Sequence, residues 1–382
     1  YLFTLAIELL AINIRENQNI VGITVNKTSI KLSMYADDMT GLVVGIKSVQ
    51  ELMKTITEFK IYSGLGVNKD KTELMPLGIS NKDDPSLINL GYKIVTEMKI
   101  TGVTFTYDED VKINKNFFAT LANMDKTLNI WKQRNLSIIG KIQISKTFGT
   151  SQLIFITNMI NTPLNITKQA NSSLYKFLWN GPDKVKRQAM VSDFAQGGLK
   201  MPHFESILKT QKIMWAKRYA NPNYHPWKEF LNVALKENFG GVNILNRFLP
   251  ENSIKKSKMS DFNKDILITW NSFKNIPITA AEIGNQYLWC NYNITKPNGT
   301  PLNSQRLSKI GINYIKDIIA NQKIFSINDI NTQNITMLEK LEMSSVINCL
   351  PKAWKELTYH AQDIKSFEKQ QQADMTKLKS KT

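Results

Sequence analysis

The chain has 382 residues, 42% of them hydrophobic, with 49 Lys and Arg against 32 Asp and Glu for a net charge of +17. That length and apolar content can bury sizeable cores in two or three units, while the charge favours polyanionic partners. Two distant cysteines, Cys290 and Cys349, exclude a disulfide framework or a Cys-rich zinc site and fit a reducing compartment, and no apolar run reaches the roughly 18 residues of a membrane span, so no membrane partner is expected.

In chain order, Leu2 to Ile14 is apolar at helical spacing, with Glu8 as an exposed or paired acid. Ile20 to Val25 and Ser29 to Met34 are predicted strands joined through Asn26-Lys27. Ile30, Leu32 and Met34 alternate with Lys31 and Ser33 and deliver Tyr35-Ala36-Asp37-Asp38 into a tight turn, and Met39 to Gly45 is the return strand. Asp-Asp pairs are most often solvated turns. Here, however, two carboxylates held roughly 4 Å apart would repel by about 4 kcal/mol at an effective dielectric near 20, which a divalent cation would offset. The apolar strands on either side favour the metal over a casual loop. Ser48 and Glu51 form a capping-box pattern before Val49, Leu52, Ile56 and Phe59, and Gly64 is a stop. Val67, Leu74, Pro76 and Leu77 predict a short strand, and Ile94 to Thr106 a hairpin. Strands and a helix in this order give an α+β first region, 1–110.

Asp108-Glu109-Asp110 is a second acidic cluster, expected in a solvated loop. From Val111 the period becomes helical, with Phe117, Leu121, Met124, Leu128 and Trp131 on one stripe. Leu136-Ser137 offers an N-cap for a second helix, Ile138 to Ile160, where Gly140 and Gly149 mark bending or close approach. Ala170, Leu174, Phe177 and Leu178 predict a third helix stopped by Gly181-Pro182. Between Lys112 and Arg218 lie 17 Lys and Arg and only 4 Asp and Glu, so this stretch carries 13 of the 17 net charges. Trp131, Tyr175, Trp179 and Trp215 are interleaved with those cations, as a nucleic-acid binder requires, although the stripes favour core positions for Trp131 and Trp179. Region 111–220 is therefore a basic helical unit, Asn221 to Pro226 a linker, 221–360 a mostly helical region, and 361–382 a polar, frayed or disordered tail. In the third region Pro297 to Gly299 is a turn, and Ile310, Ile312, Ile315 and Ile319 keep apolar spacing. His203, His225 and His360 lack partners at useful spacing.

These motifs, in this order, resemble the reverse transcriptase family, and most closely the polymerases of non-LTR retrotransposons of the long interspersed element class. The aromatic-Ala-Asp-Asp hairpin is similar to the family's metal-binding turn. Leu2-Phe3 with Ile7 to Ala11 resembles the helix after the template-contacting loop, and Ser63-Gly64, Asn68, Lys71 and Thr72 resemble the segment behind the hairpin. Lys99 to Val103 resembles the primer-grip turn, with Thr101 where the family more often has Leu. Trp131, Leu136-Ser137, Gly140-Lys141-Ile142, Lys176 to Asn180, Gly197 to Leu199 and Pro202 follow the pattern beyond the palm. The likeness covers roughly the first 205 residues.

The resemblance implies a partial palm followed by a helical thumb. It implies Mg²⁺ held by Asp37 and Asp38, and Lys71 near the incoming triphosphate, a solvated turn being the alternative for that lysine. It places Tyr35, either beside the primer end or bracing the hairpin, with Lys99, Gly102, Lys132, Arg134, Lys141 and Lys146 along an RNA template and DNA primer. Deoxynucleoside triphosphates would be the substrates, in the nucleus or cytoplasm. One departure matters: the first Asp of the chain is Asp37, whereas the family takes another indispensable Asp from an earlier strand. The Gln-Gly-Pro type segment is also missing and the chain opens on Tyr1, so it is expected to be part of a larger polyprotein with fingers, first half of the palm and any endonuclease upstream. Metal ligands act as a unit, so the isolated chain is expected to be inactive. The alternative is a non-catalytic, relic or domesticated module that holds nucleic acid through the basic helices.

Overall fold

The first helix (α1, Leu2–Glu16) forms where the apolar spacing predicts it and buries Leu10, Ala11 and Ile14, while Leu2, Leu5 and Leu9 stay exposed. A computed structural model describes residues 2–78, 85–244, 246–273 and 277–360, and the expected tail 361–382 lies outside them. Glu8 of α1 pairs with Arg15 at 2.6 Å.

Strands β1 (Ile23–Val25) and β2 (Thr28–Ile30) form the expected hairpin, with Asn26 in the left-handed region at φ +54°. Strands β3 (Leu32–Tyr35) and β4 (Asp38–Gly41) form a second. The strand expected over Ser29 to Met34 is thus broken at Lys31. Its ammonium donates to the carbonyls of Arg15 and Asn17, both at 2.7 Å, and so closes the end of α1.

Helix α2 (Ile46–Ser63) begins two residues before the expected cap, after Gly45 at φ +79°. Ser48 is buried in its first turn and forms no capping box; its Oγ accepts from the Val21 N–H at 3.1 Å. Gly64 ends the helix as expected, left-handed at φ +72°. Leu10, Ile14, Ile20, Leu52 and Ile56 make a small core, with Leu32 and Met39 of the second hairpin packed against it. Each such side chain contributes about 1.5–3 kcal/mol when fully buried.

Short strands β5 (Glu73–Leu74) and β6 (Lys93–Ile94) pair in parallel around helix α3 (Pro85–Ile88), and β7 (Glu97–Ile100) and β8 (Val103–Thr106) make the expected hairpin. The acids after it are not in a loop. Asp108 caps helix α4 (Glu109–Ile113) by accepting from the Val111 N–H at 3.0 Å, and Glu109 and Asp110 fill its first turn, where the helix dipole favours them.

Helix α4 continues through a π-helical turn, Asn114–Phe118, into α5 (Ala119–Lys132). After the Ser137 cap, α6 (Ile138–Ile144) runs through a second π-helical turn, Ser145–Thr150, into α7 (Ser151–Met159). Phe117, Leu121, Met124 and Leu128 are buried as predicted, against Ile142, Leu153 and Leu174. Gly149 is a point of close approach: a Cβ there would lie 3.0 Å from Leu174 Cδ2. Helix α8 (Leu164–Trp179) stops on left-handed Asn180, φ +56°, one residue before the expected Gly181.

The chain divides into two compact units, Tyr1–Leu208 and Lys209–Thr382, so 1–110 and 111–208 belong to one unit. Both units are α+β, dominated by helices with small, mostly antiparallel strand pairs. In the second, helices Trp227–Phe239 and Asp261–Phe273 pack around Leu231, Leu235 and Ile266, and Trp289, Ile315, Met343 and Val346 belong to another core. The stretch with apolar spacing holds the end of a short helix, Gln305–Lys309, and a 3-10 turn, Ile315–Ile318, and Ile310 is exposed. Among the described residues no helix is long and apolar enough to cross a membrane.

Lys212 is only 6% exposed, with its ammonium 3.7 Å from the centroid of Phe262. Burial pulls its pKa down to about 8 against the opposing charge of Asp265. The folded chain thus gives up this proton before the unfolded chain does. The unfolded chain binds more protons between about 8 and 10.5, and stability rises with pH across that window. Urea unfolding should show a gain on the order of 2 kcal/mol between neutral pH and the top of that window, absent in Lys212→Met.

Candidate metal and nucleic-acid site

Tyr35 faces Asp38 across the β3–β4 ladder, so only Ala36 and Asp37 connect the strands. Ala36 takes up the reversal at φ +54°, a conformation that costs an L-residue about 1–2 kcal/mol. Leu32 and Met39 pack the base of the hairpin onto the small core and hold that turn in place. At the tip Asp37 and Asp38 are both exposed, and Tyr35 is 74% exposed. Tyr35 is thus mostly open to solvent at the same tip.

Two adjacent hard-oxygen donors match the way Mg²⁺ is held, by one or two carboxylates with waters and substrate phosphates. They do not make a closed cage. Among the described residues no group of three or more His, Cys, Asp or Glu converges on one point. Among the described residues the carboxylates at this turn are therefore these two.

Lys71 lies in a capped 3-10 turn, Lys69–Lys71, where Asn68 Oδ1 accepts from the backbone N–H groups of Asp70 at 3.0 Å and Lys71 at 3.3 Å. Thr72 Oγ1 donates back to the Asn68 carbonyl at 2.8 Å. Asn68, Lys71 and Thr72 thus form one local unit that leaves the Lys71 side chain exposed. Among the described residues neither a hydrogen bond nor an ion pair joins Lys71 to Asp37 or Asp38.

The β7–β8 hairpin turns through Thr101 at φ +45° and Gly102 at φ +91°. In a two-residue hairpin the outward amide groups of Thr104 would lack partners. The buried side chain of Asn116 supplies both: its Oδ1 accepts from the Thr104 N–H at 2.9 Å, and its Nδ2 donates to the Thr104 carbonyl at 2.8 Å and to Lys112 O at 2.9 Å. This amide fastens the hairpin to the helical body. Exposed Lys99 lines a cleft of about 860 Å³ beside the Glu97–Lys115 and Glu73–Lys93 ion pairs.

Of the basic candidates, Lys132, Arg134 and Lys146 are exposed. Lys141 differs, because its Nζ donates to the Leu178 carbonyl at 3.2 Å and caps the end of α8. Tyr175 is fully buried and belongs to the core, while half-buried Trp215 packs edge-on against Trp227 and Phe262 with Arg218 5.4 Å from its centroid. Trp131 is half-buried, with Arg134 5.4 Å from its centroid and Phe148 stacked on it at 5.4 Å and 25°. The sequence reading missed Phe148. An aromatic residue off the buried stripe of a helix without acids was the available signal.

The structure thus gathers Tyr35, Asp37 and Asp38 on one turn. It puts Lys71, the Lys99–Gly102 turn and the basic helices on separate elements of the same unit. Compared with models of known protein families, the chain matches none.

Replacing Asn116 with Ala removes three hydrogen bonds and strands both outward groups of Thr104. Denaturant unfolding of Asn116→Ala should show a loss of about 2–3 kcal/mol.

Proposed function

We propose that this chain is the metal-binding half of a reverse-transcriptase palm with its thumb, from an RNA-directed DNA polymerase of the non-LTR retrotransposon type. The observation that carries the reading is the two-residue hairpin turn at whose tip Asp37 and Asp38, neighbours in sequence, are both exposed. The basic helices supply the second support, since exposed Lys132, Arg134 and Lys146 suit phosphate contacts that position a duplex without reading its sequence. A third is α1, whose Leu2, Leu5 and Leu9 are 85%, 68% and 60% exposed and suit burial under the fingers and first palm half that would contribute the missing carboxylate.

In the assembled enzyme Asp37 and Asp38 would hold Mg²⁺ together with the upstream carboxylate and the triphosphate. The chemistry supplied there would be activation of the primer 3′ hydroxyl and shielding of the phosphates for in-line attack. Lys71 would approach the leaving pyrophosphate. RNA would be the template, DNA the primer and deoxynucleoside triphosphates the substrates.

A second reading, a non-catalytic nucleic-acid-binding module, is favoured by one observation: only two carboxylates meet at the turn, and no third joins them among the described residues. Primer extension separates the two. A polypeptide carrying this chain behind the upstream palm half should extend a DNA primer on RNA with Mg²⁺, and Asp37→Asn should abolish extension. Undiminished synthesis by that variant would refute the metal assignment.

Both readings require phosphate contacts. Duplex affinity should fall steeply with salt, and replacing Lys132, Arg134 and Lys146 together by Ala should reduce the log–log slope by roughly 2 to 3. A salt-independent affinity would count against nucleic acid altogether.

A further inference from the structure

The seam between α5 and the α6–α7 helix carries a row of exposed and half-buried groups that, Arg134 apart, duplex holding does not use. At one end, the Arg134 guanidinium lies 5.4 Å from the centroid of Trp131, and Phe148 stacks on the same indole. One turn further along, Gln152 Nε2 donates to Thr127 Oγ1 at 3.2 Å and bridges the two helices. Another turn along, Phe155 lies beside the Thr101-Gly102 turn, where a Cβ on Gly102 would stand 3.9 Å from its Cε1.

Phe148 and Phe155 are 41% and 43% exposed. Seven residues apart on one helical path, they are separated by about 10 Å, close to the length of three stacked nucleotides at roughly 3.4 Å each. The strip is also selective in charge. From Ile138 to Met159 the sequence contains Lys141 and Lys146 and not one Asp or Glu, and exposed Lys132 and Arg134 flank the Trp131 end.

We infer, on the nucleic-acid reading above, that this seam is a stacking track for single-stranded nucleic acid, with one base on Phe148 and phosphates toward Arg134 and Lys132. An aromatic face accepts any base, so the track is indifferent to sequence and adds to affinity wherever a strand is unpaired. Arg134 serves both ends of the contact, because its guanidinium lies over Trp131 while remaining exposed to a phosphate. The absence of carboxylates along α6 and α7 favours a polyanion over an ordinary protein surface.

Fluorescence anisotropy on the full chain tests the track with a labelled short oligo(dT) and a blunt DNA duplex as probes. Phe148→Leu keeps an apolar side chain against Trp131 but removes the aromatic face, whereas Phe148→Trp keeps that face. The Leu variant should bind the single strand roughly tenfold more weakly, the Trp variant as tightly as the parent, and both should bind duplex unchanged. Single-strand affinity unaltered in the Leu variant overturns the track, leaves the nucleic-acid reading standing and hands the seam to a protein partner. Equal losses for strand and duplex overturn it as well, since Phe148 would then act through the fold. If the parent binds neither probe, both the track and the nucleic-acid reading fall.

Discussion

A two-stranded ribbon is marginal in water, and every sheet among the described residues has only two strands. What makes them persist is the completion of their open edges and ends by side chains from neighbouring helices. Asn116 does so for the β7–β8 hairpin, satisfying the N–H and carbonyl of Thr104 with one amide. Ser48 does so for the stretch before β1, and Lys31 joins the second hairpin to the end of α1. The candidate site inherits its rigidity from these attachments. The Tyr35–Asp38 turn can hold Ala36 in a left-handed conformation because the strands beneath it are anchored by Leu32 and Met39.

The apolar periodicity was the legible part of the sequence. The stripe from Phe117 to Leu128, the helix under Leu2 to Ile14, the Asn26-Lys27 and Ala36-Asp37 turns and the stop at Gly64 all follow from spacing and turn chemistry. The illegible part consists of polar side chains that have more than one use. Ser48 in a capping pattern bonds a distant strand instead, Asp108 in an apparent loop caps a helix, and Lys141 in a basic run closes α8. For Ser48 and Lys141 no local rule distinguishes these uses, because the partner lies tens of residues away. Asn180 shows the same limit at short range, since it adopts the left-handed cap one residue before a glycine that could have done so.

The candidate site was legible in the same uneven way. An Asp-Asp pair between apolar strands announces a hairpin tip, and the tip is there. The seam with Phe148 was not legible, because it needs two helices aligned and a ring that the helical period assigns to solvent. Surface charge binds these parts into one functional picture. On the proposed reading, the exposed carboxylates would take a metal ion and the basic helices beyond would take the polyanion.

The two π-helical turns, Asn114–Phe118 and Ser145–Thr150, have a further consequence for how this chain tolerates change in length. Each is equivalent to one extra residue spliced into an ordinary helix. Excising a single residue from Ser145–Thr150 would restore uniform winding while leaving Leu153 and Ile156 in their sockets, but it would swing the ring of Phe148 by about 100° around the axis. Single-residue deletions at these two places would thus spare the winding of the flanking helices and change which side chains meet the outside.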